Sequence, residues 1–184
     1  MSAVDCGGAC GAAVARALDR WRGSHPGPDT PLLSAFAGMS MDERWLLPPA
    51  EEMFRTFPWF AGERFDAITD DLRAQPAKPL TIAEGFRLLP RLVARHIDDA
   101  RRAVWLLSTP DFSRRVFEAR ESSVQFWRRT SDPERALARL LERDALFTRR
   151  VRQEAGRLGL RVIEVDGRTD STALVDEVAD WFRL

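Results

Sequence analysis

Two loops that pair an acid with a glycine, and a crowd of arginines between them, are the residues of this sequence whose types can do chemistry. Glu84-Gly85 closes the apolar run LTIA at 80–83, and Asp166-Gly167-Arg168 closes the apolar run RVIEV at 161–165. Between positions 101 and 152 stand thirteen arginines against seven acids, a surplus of six in a chain whose net charge is zero. The planar guanidinium fork suits two-point contact with phosphate or carboxylate, so the cluster suits an anionic ligand. The adjacent pairs Arg114-Arg115 and Arg128-Arg129, with Arg143, are the candidates. A glycine beside the acid lets the main chain turn sharply and approach a ligand closely.

Each feature also has an ordinary structural account. An acid such as Glu84 is favourable near a helix N-terminus whether or not anything binds there. Asp166-Gly167-Arg168 is a serviceable strand-to-helix turn. Arg135, Arg139 and Arg143 recur at i, i+4, and with Glu134 and Glu142 beside them they read as a solvated, salt-bridged helix face. A GC-rich coding sequence explains the total of arginines but not their clustering. Cys6 and Cys10 have metal-like CxxxC spacing, but structural zinc needs four ligands, and His25 and His96 stand far away in sequence. No metal site is expected, and His96 reads as a surface residue of a short helix. Asp42, Glu43 and Arg44 are placed to line an acceptor pocket, although a capped helix start accounts for Glu43 unaided.

These residues must be held by a core. A chain of 184 residues suffices for one domain, or one domain with a lid, and 45% hydrophobic with 30% charged residues is a globular composition. No apolar run approaches the roughly 18 residues of a membrane span, and no basic segment precedes an apolar core at the N-terminus. Two cysteines fit a reducing compartment, so the expectation is a cytoplasmic protein that binds neither membrane nor nucleic acid, the zero net charge arguing against the latter.

Three short apolar runs, LTIA, AVWLL at 103–107 and RVIEV at 161–165, alternate with helical patterns. That alternation predicts a parallel sheet buried on both faces and flanked by helices, a three-layer α/β domain over 1–184. Val14, Leu18 and Trp21 mark a helix near the N-terminus, and residues 32–36 a second. Ser40 with Glu43 is a capping box, and 51–73 reads as one long amphipathic helix kinked at Pro58. Ser-Thr-Pro-Asp at 108–111 opens a helix, Asp132 caps a long one ending near Gly159, and Asp170 or Ser171 caps the last.

AEGFRLLPRLV, AVWLLSTPDFSRR, SDPERALARLLERD and GLRVIEVDGRTD, taken in that order, resemble a family of uncharacterised bacterial P-loop kinase-like proteins, related more distantly to adenylate, shikimate and nucleoside kinases. Each motif is weak alone; their shared order and spacing carries the resemblance, over roughly 39–184. It implies ATP and Mg as cofactors and a small-molecule or nucleotide acceptor. Glu84 would stand at the end of the third strand beside the phosphates, with Gly85 at its turn. Residues 108–150 would form a lid-like helical region. There Arg128, Arg129 and Arg143 would stabilise charge on the transferring phosphoryl group, with Arg114 and Arg115 on the nucleotide. Asp166, Gly167 and Arg168 would pack on the adenine.

The sequence departs from that pattern where phosphates are gripped. A P-loop wraps phosphates in glycine N–H groups and reaches them with a lysine. Here CGGACGAAVARAL has only the glycines, and the one lysine, Lys78, lies in the linker AQPAKP. The strand before such a loop is central in these kinases, so either the strands ending at Glu84 and Leu107 pair directly or the strand comes from elsewhere. A start assigned too far downstream accounts for the gap most simply. The expectation is a kinase-like protein inactive as written. The alternative is a regulatory module that recognises a phosphorylated ligand or a protein partner through its arginines. Open sheet edges make a homodimer an expected partner.

Overall fold

A computed structural model of the chain describes residues 28–76, 81–121 and 124–183. The helical pattern of 14–21, both cysteines, His25 and Lys78 lie outside the described residues. Helices dominate, and the sheet is small. In order come α1 (Pro31–Gly38), α2 (Met41–Trp45), α3 (Ala50–Thr56), α4 (Pro58–Ala61), α5 (Phe65–Arg73) and α6 (Pro90–Val93). A 3₁₀ turn at Ala100–Arg102 leads to β1 (Val104–Ser108) and α7 (Pro110–Ala119). A second 3₁₀ turn, Phe126–Arg129, precedes α8 (Pro133–Arg157), β2 (Arg161–Val165) and α9 (Ser171–Phe182).

β1 and β2 are parallel and pair directly, Val104 opposite Arg161 through Ser108 opposite Val165. Parallel neighbours need a long crossover, and α7 and α8 supply it. The fold is therefore mixed α/β, mostly helical, with a two-stranded parallel sheet among the described residues. The expected strand at LTIA does not form over 81–84, where the backbone is irregular and Ile82 is 45% exposed. Apolar character alone does not make a strand: its N–H and C=O groups need a partner edge, and here β1 pairs with β2 instead. Burial on both faces also fails, since Leu106 is 47% exposed while Trp105 and Leu107 turn inward.

The capping box forms as its spacing predicts: the Ser40 N–H donates to Glu43 Oε2 at 2.7 Å, and the Glu43 N–H donates to Ser40 Oγ at 3.3 Å. The single long helix over 51–73 is corrected to three. Pro58 opens a new helix rather than kinking an old one, and the turn after α4 uses left-handed backbone at Gly62 (φ +96°) and Arg64 (φ +63°). The break has a use. It frees Glu63 to accept the N–H groups of Leu32 and Leu33, both at 2.8 Å, so that a side chain 31 residues away caps α1.

Two cores share one helix. Ala136 and Leu140 of α8 pack with Trp45, Met53, Phe57 and Trp127 in a helical cluster. About three to five turns later Val151 and Ala155 pack with Trp105, Leu107 and Leu160 under the sheet. Asp132 caps α8 by accepting the Arg135 N–H at 3.1 Å, with Pro133 in the first turn. The solvated arginine face of α8 is corrected at one end: Arg135 is exposed, whereas Arg143 is only 6% exposed.

Candidate functional site at the strand ends

Parallel strands deliver their following loops to the same edge, and in open α/β sheets ligands bind beyond that carboxyl edge. The Thr109 N–H donates to Val165 O at 3.0 Å, fastening the two strand ends together. Thr109 then caps α7, its Oγ accepting the Phe112 N–H at 3.3 Å. One turn on, Arg115 reaches across the edge and its Nη2 donates to the Asp166 carbonyl at 2.8 Å. Asp166 turns its own carboxylate onto the Arg168 N–H at 2.8 Å, with the Arg168 guanidinium 3.6 Å away. That places Arg115, Asp166, Gly167 and Arg168 in one group.

Gly167 is required here by geometry. Its φ is +78°, and a Cβ would lie 2.5 Å from Phe112 Cδ2 and 3.2 Å from Arg115 Nη2. The Phe112 ring also lies 5.6 Å from the Arg115 guanidinium, which fixes the arginine between a ring and a carbonyl. Arg168 is largely free in solvent, 90% exposed at its side chain. Arg114, on the same helix, faces Glu118 at 3.8 Å, and Asp111 sits in the first turn. The group offers two guanidiniums on a strapped loop, with an acid nearby that limits how much negative charge it tolerates.

The other expected site residues lie elsewhere. Glu84 is exposed and makes no hydrogen bond or ion pair with another described residue, and Gly85 (φ +145°) has open space about it. The segment that follows is drawn into the helical region: the Phe86 ring lies 6.2 Å from Phe60, and Leu88 O accepts the Trp105 indole N–H at 2.8 Å. Arg128 and Arg129 are exposed in the 3₁₀ turn, whose Trp127 is buried against Phe117. Arg143 lies in the aromatic core, its guanidinium 4.6 Å from the Phe57 ring. Asp42, weighed as an acceptor-pocket residue, instead accepts the Ser131 N–H at 2.8 Å and its Oγ–H at 2.6 Å. Those two donors hold its carboxyl below the ordinary carboxylate value. His96 lies beside Arg73 at 3.3 Å and near the Phe65 ring.

Sequence reasoning missed the acid–arginine cluster of Arg91, Arg150 and Glu154. Arg150 Nε donates to Glu154 Oε1 at 2.6 Å and Arg91 Nε lies 3.7 Å from the same oxygen. The i, i+4 spacing of Arg150 and Glu154 was a usable signal; Arg91, from another helix, left none. Among the described residues no three His, Cys, Asp or Glu side chains gather as a metal would require, and no helix is long and apolar enough to cross a membrane. Comparison of the chain with family models, with curated proteins and with solved structures finds no match.

Proposed function

We propose that the protein is a kinase-like module that binds a phosphorylated small molecule or nucleotide at the carboxyl edge of its parallel strands, without transferring the phosphoryl group. The two-stranded sheet is taken as part of a three-layer P-loop-type sheet. The observation that carries the reading is the clasp of Arg115 on the Asp166 carbonyl, 51 residues away, which sets a fixed guanidinium where both strands end. Arg168, exposed on the next turn of the loop, adds a second cation for a phosphate. A binding role is favoured over transfer because transfer would need Glu84 beside the phosphates, whereas the contacts of 86–88 run to Phe60 and Trp105.

The donor set suits ATP's phosphates and does not suit Mg. The one carboxylate in the group, Asp166, is already engaged by Arg168, so no step is assigned to the metal. Binding is expected to be electrostatic and to weaken with salt. Calorimetric titration with ATP and ADP should give saturable binding below a millimolar, unchanged by EDTA. Arg115→Ala should weaken it by about tenfold, the worth of one charge-assisted hydrogen bond. No saturable heat below a millimolar would remove the nucleotide reading. ATP turnover that is lost in Glu84→Gln would replace binding with catalysis.

A further inference from the structure

A cavity of about 170 Å³ opens between α3, α4, α6 and the later turns of α8, and none of its lining residues belongs to the strand-end group. Phe60 and Phe147 form one wall, stacked with centroids 3.9 Å apart and planes within 11°. Arg55, Arg91, Arg150 and Glu154 supply its charge, three guanidiniums against one carboxylate. Glu154 is already satisfied by Arg150 at 2.6 Å with Arg91 close by, which leaves two positive charges uncompensated by the lining.

Arg91 is a fixed cation in the cavity wall. Its Nη2 donates to the carbonyls of Phe60 at 3.3 Å and Ala61 at 2.8 Å, so main chain fixes the guanidinium in place. Its Nη1 is buried and finds no acceptor. Buried polar groups are nearly always paired, and an unpaired N–H on a charged group is costly. Behind the wall a further cation, Arg143, lies 5.2 Å from the Phe60 ring, and its Nη1 is likewise buried without an acceptor. Arg143 has its own partner in Asp144 at 2.6 Å, so the surplus of positive charge is that of the cavity lining itself.

We propose that this cavity binds a small organic oxyanion with an apolar body, its oxygens among the guanidiniums of Arg55, Arg91 and Arg150, its body against Phe60 and Phe147. The size points to the class: sites for drug-sized ligands run to roughly 300–1,000 Å³, and this smaller cavity suits a single substituted ring. The charge demands an anion, and the aromatic wall favours a carbon body over a bare inorganic ion.

Benzoate, phenyl phosphate, inorganic phosphate and benzyl alcohol separate these contributions when titrated into the full chain, followed by calorimetry and by the methyl NMR signals of Val151, which lines the cavity. Benzoate or phenyl phosphate should saturate below a millimolar, shift Val151, and bind at least about tenfold more tightly than either benzyl alcohol or phosphate, a factor one lost ionic contact can supply. Arg55→Gln, at the exposed rim, should weaken that binding by a similar factor without disturbing the fold, and Arg91→Gln should weaken it further if folded by circular dichroism. Arg115→Gln should leave it intact while lowering affinity for ATP, which keeps this site's failure distinct from that of the strand-end site. The proposal is overturned if neither aryl anion saturates, if benzyl alcohol binds equally well, if Arg55→Gln has no effect, or if Arg115→Gln abolishes aryl-anion binding.

Discussion

The guanidinium of Arg143 lies 4.6 Å from the Phe57 ring, 5.2 Å from Phe60 and 5.3 Å from Trp45, with Asp144 Oδ1 accepting from its Nε at 2.9 Å and Nη2 at 2.6 Å. Arginine tolerates such a place because its charge is spread over a weakly hydrated plane that stacks on rings. Arg143→Ala should lose about 2–4 kcal/mol, from the cavity left behind and the stranded partner, measured by urea unfolding. Arg143→Lys should recover less than half of that, since a compact ammonium neither stacks nor forks. A loss below about 0.5 kcal/mol in the alanine variant would show the rings pack as well without the cation. In sequence, Arg143 was indistinguishable from Arg135 and Arg139 at the same spacing. What separates them is the neighbouring elements, since Trp45 of α2, Phe57 at the α3–α4 junction and Phe60 of α4 supply the rings that cover Arg143.

Elements in this fold are joined by caps that reach across the chain. Asp42 in α2 takes both donors of Ser131, 89 residues later, and so pins α2 to the segment that starts α8. Because the hydrogen bonds from Ser131 lower its carboxyl in the folded state, their contribution is complete above the ordinary carboxylate value. It is lost as the pH falls through the lowered one. Urea midpoints of wild type and Asp42→Asn should therefore differ at neutral pH and converge as the solution is acidified below the usual carboxylate range; a constant gap would mean that Asp42 acts by packing rather than by charge. The capping box at Ser40 and Glu43 and the Asp132 cap were legible because both partners lie within one turn. Glu63 capping α1 was not, and neither was the division of 51–73. A proline in a helical pattern signals interruption, but only the covering elements decide between a bend and a break. Here Gly62 lies where a Cβ would come within 2.8 Å of Leu92 in α6.

Across the whole molecule α8 is the common member, 25 residues and about 37 Å long. Its first half is buried with Trp45 and Trp127, its second with Trp105. One continuous helix should make the two cores unfold together. Variants that retain only Trp127 or only Trp105 should show coincident denaturation curves, and Ala145→Pro, which breaks α8 between the cores, should separate them. Separate curves in the unbroken helix would make the cores independent. The sequence by itself determined what depends on near neighbours: the caps, the long amphipathic α8, the two apolar runs that became β1 and β2, and the concentration of arginine between them. Tertiary structure alone decided which runs found a partner edge, so that 104–108 and 161–165 became strands while 81–84 did not. It also decided which arginines meet solvent, a carbonyl or a ring. Local order follows from bonds made within a turn, whereas strand pairing and the environment of a charge depend on groups distant in the chain that only folding brings together.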